Sequence, residues 1–178
     1  MRSKTTLTRP GYSLIMLDRV PILLAEDDRK DAALMVEAFA QAAISNPLLV
    51  VQNGREAINY LIGLGAFADR TKYPLPGLLL LDLKMPWMDG FDVLAWLRRH
   101  DEFSALPVVV LTALRLEGIA SDQRLKGACD YRVKPVGLAD LIRLVEDVKK
   151  CWLDERFNRI GSLPLNSELT ALRALPKP

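Results

Sequence analysis

Residues 78–83, Leu-Leu-Leu-Leu-Asp-Leu, decide the fold. The run is apolar on both faces and broken by one carboxylate near its end. A strand of this kind is buried from both sides, as in a parallel sheet covered by helices above and below. Upstream, 65–77 is a long connection in which Pro74 and Pro76 stop any helix. Downstream, Asp89-Gly90 precedes a helix whose inward residues are Val93, Leu94, Trp96 and Leu97.

The same alternation extends in both directions. Residues 22–25 read as a strand, and Asp28 then caps a helix with Asp31 three residues on. Leu34, Met35, Ala38, Phe39 and Ala42 form its apolar face, and Asn46-Pro47 ends it. A strand over 48–52 and a turn at Asn53-Gly54 lead to a helix over 55–64, facing inward with Ala57, Ile58, Leu61 and Ile62. Pro107 opens a strand over 108–112. A weakly amphipathic helix over 117–126 stops at Gly127, a short strand covers 131–133, and a final helix covers 138–152. Crossovers of this length join parallel strands by right-handed connections. The expected architecture is α/β: a doubly wound, five-stranded parallel sheet with helices on both faces. One domain over 20–153 is expected, between a disordered basic extension over 1–19 (Met16 is a second candidate start) and a tail over 154–178 too short for an output domain.

Composition narrows the function. The longest apolar runs are strand-sized, so no membrane span is expected. Formal net charge is +2. Arg2, Lys4, Arg9 and Arg19 stand against Asp18 near the N-terminus, so the slight basicity belongs to that arm. The body lacks the clustered basic face that nucleic-acid binding wants. Cys129 and Cys151 form neither a disulfide framework nor a metal-ligand spacing with the lone His100, which fits a reducing, cytoplasmic compartment.

In open parallel sheets ligands bind at the carboxyl ends of the strands. The first strand ends in Glu26, Asp27 and Asp28, the third carries Asp82, the fourth ends in Thr112, and the fifth is followed by Lys134-Pro135. Clustered carboxylates raise one another's pKa unless neutralised. All-oxygen ligation favours Mg²⁺, and Mg²⁺ with Lys134 balances the formal charges of Glu26, Asp27 and Asp82. Such a site suits phosphoryl transfer. One carboxylate attacks phosphorus and becomes an acyl phosphate, while cation, ammonium and hydroxyl hold the phosphoryl oxygens. Asp82, alone on the central strand, is the expected nucleophile; the paired Glu26 and Asp27 are the expected metal holders.

The run Ile-Leu-Leu-Ala-Glu-Asp-Asp at 22–28, Leu-Leu-Asp-Leu-Lys-Met-Pro-Trp-Met-Asp-Gly at 80–90, Leu-Thr-Ala at 111–113 and Tyr-Arg-Val-Lys-Pro at 131–135 resembles the response-regulator receiver domains of two-component signalling. The resemblance implies a flavodoxin-like strand order 2-1-3-4-5. It makes Asp82 the phosphoacceptor, with Mg²⁺ on Asp27 and Asp82, on Glu26 through water, and on the backbone carbonyl of Lys84. It puts Lys134 on the phosphoryl group, with a cis bond to Pro135, and makes Thr112 and Tyr131 a coupled switch pair. The long loop at 65–77 looks like that of single-domain regulators paired with phytochrome-type histidine kinases.

The implied partner is therefore a sensor histidine kinase, and output passes by protein contact or onward phosphotransfer. A homodimer is expected through the fourth and fifth helical units or the apolar extension around Cys151-Trp152-Leu153, Phe157 and Ile160. Met85-Pro86-Trp87-Met88, flanking the site, reads as exposed and as a partner contact. Leu114 is apolar where hydrolytic water would approach, so slow dephosphorylation is expected. His100 reads as solvated. Two other readings compete. A dehalogenase-type aspartyl-phosphate phosphatase needs a second Asp two residues after the nucleophile, where Lys84 stands. A receiver-shaped scaffold that never uses phosphate has no need of the full polar set.

Overall fold

In the computed structural model, which describes residues 20–113 and 123–154, five parallel strands form one sheet. They are β1 (Ile22–Ala25), β2 (Leu48–Val51), β3 (Leu78–Asp82), β4 (Val108–Thr112) and β5 (Asp130–Val133), in the order β2-β1-β3-β4-β5. Every residue of β1, β3 and β4 is buried, as their unbroken apolar sequences require. The flanking helices are α1 (Arg29–Gln41), α2 (Gly54–Ile62), α3 (Gly90–Leu97) and α4 (Leu138–Val148).

Alternation along the strands sorts the core into two layers. Leu23, Leu79, Leu81, Val108 and Val110 pack with residues of α2 and α3 on one face. Ile22, Leu24, Leu78, Leu80, Val109 and Leu111 pack with α1 and α4 on the other. Each fully buried leucine contributes on the order of 2 kcal/mol from apolar area alone. The doubly wound sandwich and its strand order agree with the sequence reading.

The start of α1 follows the anticipated chemistry. The Asp28 side chain accepts from the amides of Lys30 and Asp31. Asn53 caps α2 by accepting from Glu56 N, so Asn53-Gly54 is a helix start rather than a separate turn. Asp89 and Asp92 form a reciprocal capping box on α3. Some apolar positions differ from expectation. Leu34 and Ile62 are exposed and Trp96 is half-buried, because the sheet covers a narrower stripe of each helix than periodicity alone suggests. The final helix leaves α-geometry after Val148 and continues as a wider turn over Lys149–Asp154. Trp152 is buried in its own domain, so this part of the anticipated interface folds back on the core. His100 is half-buried, not solvated. Four residues after Trp96, its ring stacks on the indole at 3.8 Å and its Nδ1 lies 2.8 Å from the Trp96 carbonyl. Residues 1–19, Leu114, most of the anticipated helix over 117–126, and Phe157 and Ile160 lie outside the described residues.

The 65–77 connection has an internal structure that composition does not reveal. Tyr60, Phe67 and Tyr73 pack as a ring cluster, and Tyr60 Oη donates to the Pro74 carbonyl at 2.7 Å. Arg70 donates to the carbonyls of Tyr60, Leu61 and Tyr73. A cation thus sits on the open carbonyls at the C-terminus of α2. Burial pushes the Tyr60 phenol up to about 12 from an ordinary 10. A raised phenol favours the fold fully below pH 10, and the contribution is lost as pH rises through 12. Accordingly, the Tyr60 absorbance step should appear near pH 12 and coincide with falling stability. Tyr60→Phe should remove that step and cost about 1 kcal/mol at neutral pH. A phenol titrating near 10 in the folded protein would contradict this packing.

Candidate phosphoryl-acceptor site

All four anticipated strand ends converge on the carboxyl edge of the sheet. Register aligns Ala25 with Leu81 and Asp82 with Leu111, so Glu26, Asp82 and Thr112 emerge side by side. One carboxylate oxygen from each of Glu26, Asp27 and Asp82 falls within 4.8 Å of the others. Glu26 and Asp82 are buried, and Asp27 is more open to solvent. Asp82 is further held by the Lys84 amide, which donates to Oδ1 at 3.1 Å.

Lys134 follows β5, fixed by its own amide donating to the Thr112 carbonyl at 2.8 Å. Its Nζ donates to Glu26 Oε2 at 2.5 Å, Asp82 Oδ2 at 2.9 Å and Asp31 Oδ2 at 3.0 Å. Burial disfavours the ammonium, but hydrogen bonds to Glu26 and Asp82 outweigh that and hold it above its ordinary range. Burial holds the Glu26 carboxyl above its ordinary range, with Asp82's charge adding to the effect and Lys134 opposing it. Lys134 alone thus leaves the cluster short of positive charge. A hard divalent cation fits what remains: an all-oxygen donor set, two of its three carboxylates buried, with negative charge in excess.

Two expectations are corrected. The described chain has no cis peptide bond, so Lys134–Pro135 is trans. Trans is the intrinsically favoured isomer, and the Lys134 amine reaches all three carboxylates with it. In Met85-Pro86-Trp87-Met88, Met85 is buried and Met88 half-buried, because the loop folds back over α2: the Gly54 amide donates to the Met88 carbonyl at 3.0 Å. Trp87 is 93% exposed with φ of 63°, and the Met88 amide donates to the Pro86 carbonyl at 2.7 Å. This tight turn is a strained one for a bulky residue.

Thr112 is fully buried at the end of β4. Tyr131 lies half-buried on β5 opposite Val110, on the sheet face that Thr112 shares. Asp31 had a capping role in the sequence reading, and its contact with Lys134 went unforeseen. One signal pointed to it: α1 begins where β1 ends, so its first turn stands at the rim of the site.

The chain belongs to the response regulator receiver domain family, whose sequence model matches residues 22–146. Among curated relatives, it is 36% identical to the probable methanogenesis regulatory protein FilR2 of Methanothrix harundinacea, over 74% of this chain and 83% of that one. It is 33% identical to response regulator Rcp1 of Synechocystis, over 75% and 88%. Among solved structures, response regulator RPA3017, of red light signaling in R. palustris, superposes with a TM-score of 0.71 at 33% identity, covering 75% of this chain and 94% of that one. The phosphorylated cyanobacterial phytochrome response regulator RcpA gives 0.67 at 31%, over 77% and 96%. The Mn²⁺-bound form of Rcp1 gives 0.63 at 31%, over 75% and 94%. The protein is thus a receiver-domain response regulator of two-component signalling, with relatives among phytochrome response regulators.

Proposed function

We propose that this receiver takes a phosphoryl group on Asp82 from the phosphohistidine of a sensor kinase of the bacterial phytochrome type. The P–N bond to histidine breaks as a P–O bond to an Asp82 carboxylate oxygen forms. Glu26, Asp27, Asp82 and the Lys84 carbonyl would hold Mg²⁺, and a bound Mg²⁺ would neutralise charge on the phosphoryl oxygens. Lys134 pairs with the transferred group, Thr112 donates its hydroxyl to it, and Tyr131 follows Thr112 as the switch. No diffusible substrate is involved beyond the donor and the water that ends the signal. The other partner is a second copy of the chain, and output is by protein contact or onward phosphotransfer in the cytoplasm. Trp87, exposed beside the site, is the partner contact within its loop.

One observation carries the reading: Lys134 Nζ lies 2.9 Å from an Asp82 carboxylate buried among the same acidic residues that suit a divalent cation. A scaffold indifferent to phosphate has no use for that arrangement. Burying Glu26 and Asp82 costs stability, and apolar residues would serve a purely structural role at least as well. Acetyl phosphate with Mg²⁺ should add one phosphoryl mass to wild type and none to Asp82→Asn. Adduct formation in Asp82→Asn, or none in wild type, would remove the assignment.

A further inference from the structure

We propose that Asp31 is a positioning residue: it holds the Lys134 ammonium over Asp82 for the incoming phosphoryl group. The proposal rests on Asp82 being the acceptor. An ammonium has three N–H donors, and Lys134 directs them at Glu26, Asp82 and Asp31. Glu26 and Asp82 belong to the trio suited to a cation, and Asp82 is also the atom source of the new bond. Asp31 stands outside that trio. It is the one of the three acceptors that does not also face the cation position.

Its setting suits an anchor. Asp31 lies in the first turn of α1, whose start is capped by Asp28 and whose Met35, Ala38 and Phe39 are locked into the core. Lys134, in contrast, extends a flexible four-carbon stem from the end of β5, an outermost strand of the sheet. A fixed acceptor on a packed helix removes conformational freedom that the lysine would otherwise lose on meeting the phosphoryl group. The plainer account makes Asp31 an acid that merely favours a helix N-terminus. That account needs no contact with Lys134, yet the carboxylate lies 3.0 Å from the ammonium of a lysine 103 residues distant in sequence, whose side chain is only 10% exposed.

Positioning and simple charge predict opposite signs. Removing a negative charge near an incoming anion should, by Coulomb attraction alone, tighten anion binding. Removing an anchor should weaken it. The test uses the full chain with beryllofluoride as phosphoryl mimic at saturating Mg²⁺, Mg²⁺ alone, and acetic anhydride labelling of Lys134 in EDTA. For Asp31→Asn we expect beryllofluoride affinity to fall by about tenfold, the scale of one charge-assisted hydrogen bond. Mg²⁺ affinity should stay within about threefold, as for a half-exposed charge. Lys134 labelling without metal should quicken severalfold, and Asp31→Glu should recover both beryllofluoride binding and protection. Unchanged or tighter beryllofluoride binding in Asp31→Asn, or unchanged labelling, would overturn the proposal. Wild type that neither binds beryllofluoride nor forms an acetyl phosphate adduct would instead overturn the Asp82 assignment beneath it.

Discussion

Lys134→Ala should slow phosphorylation by acetyl phosphate by about a hundredfold or more, the usual cost of deleting one preorganised charge at a phosphoryl site. It should also destabilise the fold by about 3 kcal/mol at neutral pH, since it strands buried carboxylates that the ammonium had paired. Three carboxylates lose a partner at once, and Glu26 and Asp82 cannot turn to solvent without leaving the sheet edge. Asp82→Asn makes an instructive contrast. It should abolish the adduct outright, but it removes one negative charge from the cluster, so its stability should match or exceed that of wild type. Urea unfolding of both variants, beside the time course of adduct formation, separates the two effects. Phosphorylation of Lys134→Ala within tenfold of wild type would deny the lysine its role.

Gly90→Ala should be nearly as damaging for a purely steric reason. A Cβ at position 90 would fall 2.3 Å from the Asp82 carbonyl oxygen and 2.8 Å from Leu83 Cα, both backbone atoms that cannot swing aside. The Gly90 amide also donates to the Leu83 carbonyl at 3.0 Å, so α3 is stitched to the end of β3 at this point. Accommodating the methyl group must push α3 away or bend the strand that carries Asp82. The expected loss is about 3 kcal/mol, the upper range for overpacking a well-filled site. In a domain of this size that corresponds to a fall in Tm of roughly 10 °C. Phosphorylation should slow as well, because Asp82 is displaced. A melting point within about 2 °C of wild type would show that the contact relaxes without strain.

The sheet was legible because its central strands have no polar choice to make. Leu78 to Leu81 and Val108 to Leu111 carry no outward face, so parallel pairing under two helical layers was the available solution. The site was legible for a related reason: Glu26, Asp82 and Thr112 each interrupt or end an apolar run, Asp27 lies just beyond β1 and Lys134 directly after β5, and the topology delivers strand ends to one edge. Contacts set by side-chain reach were harder to see. Asp31 sits on a helix whose rotation about its axis is settled only by packing, and the lysine it meets lies 103 residues away. The Arg70 clamp on the end of α2 depends on a loop path that Pro74 and Pro76 restrict but do not determine. The peptide bond before Pro135 was assigned by resemblance alone, and no local residue pattern specifies it.

The 108 residues that separate Glu26 from Lys134 bear on how the site is assembled. A domain folds as a unit. The carboxylates of Glu26 and Asp82 therefore meet the ammonium that pairs them only when β5 docks beside β4. A chain cut short before residue 134 would carry Asp82 without the ammonium that pairs its carboxylate.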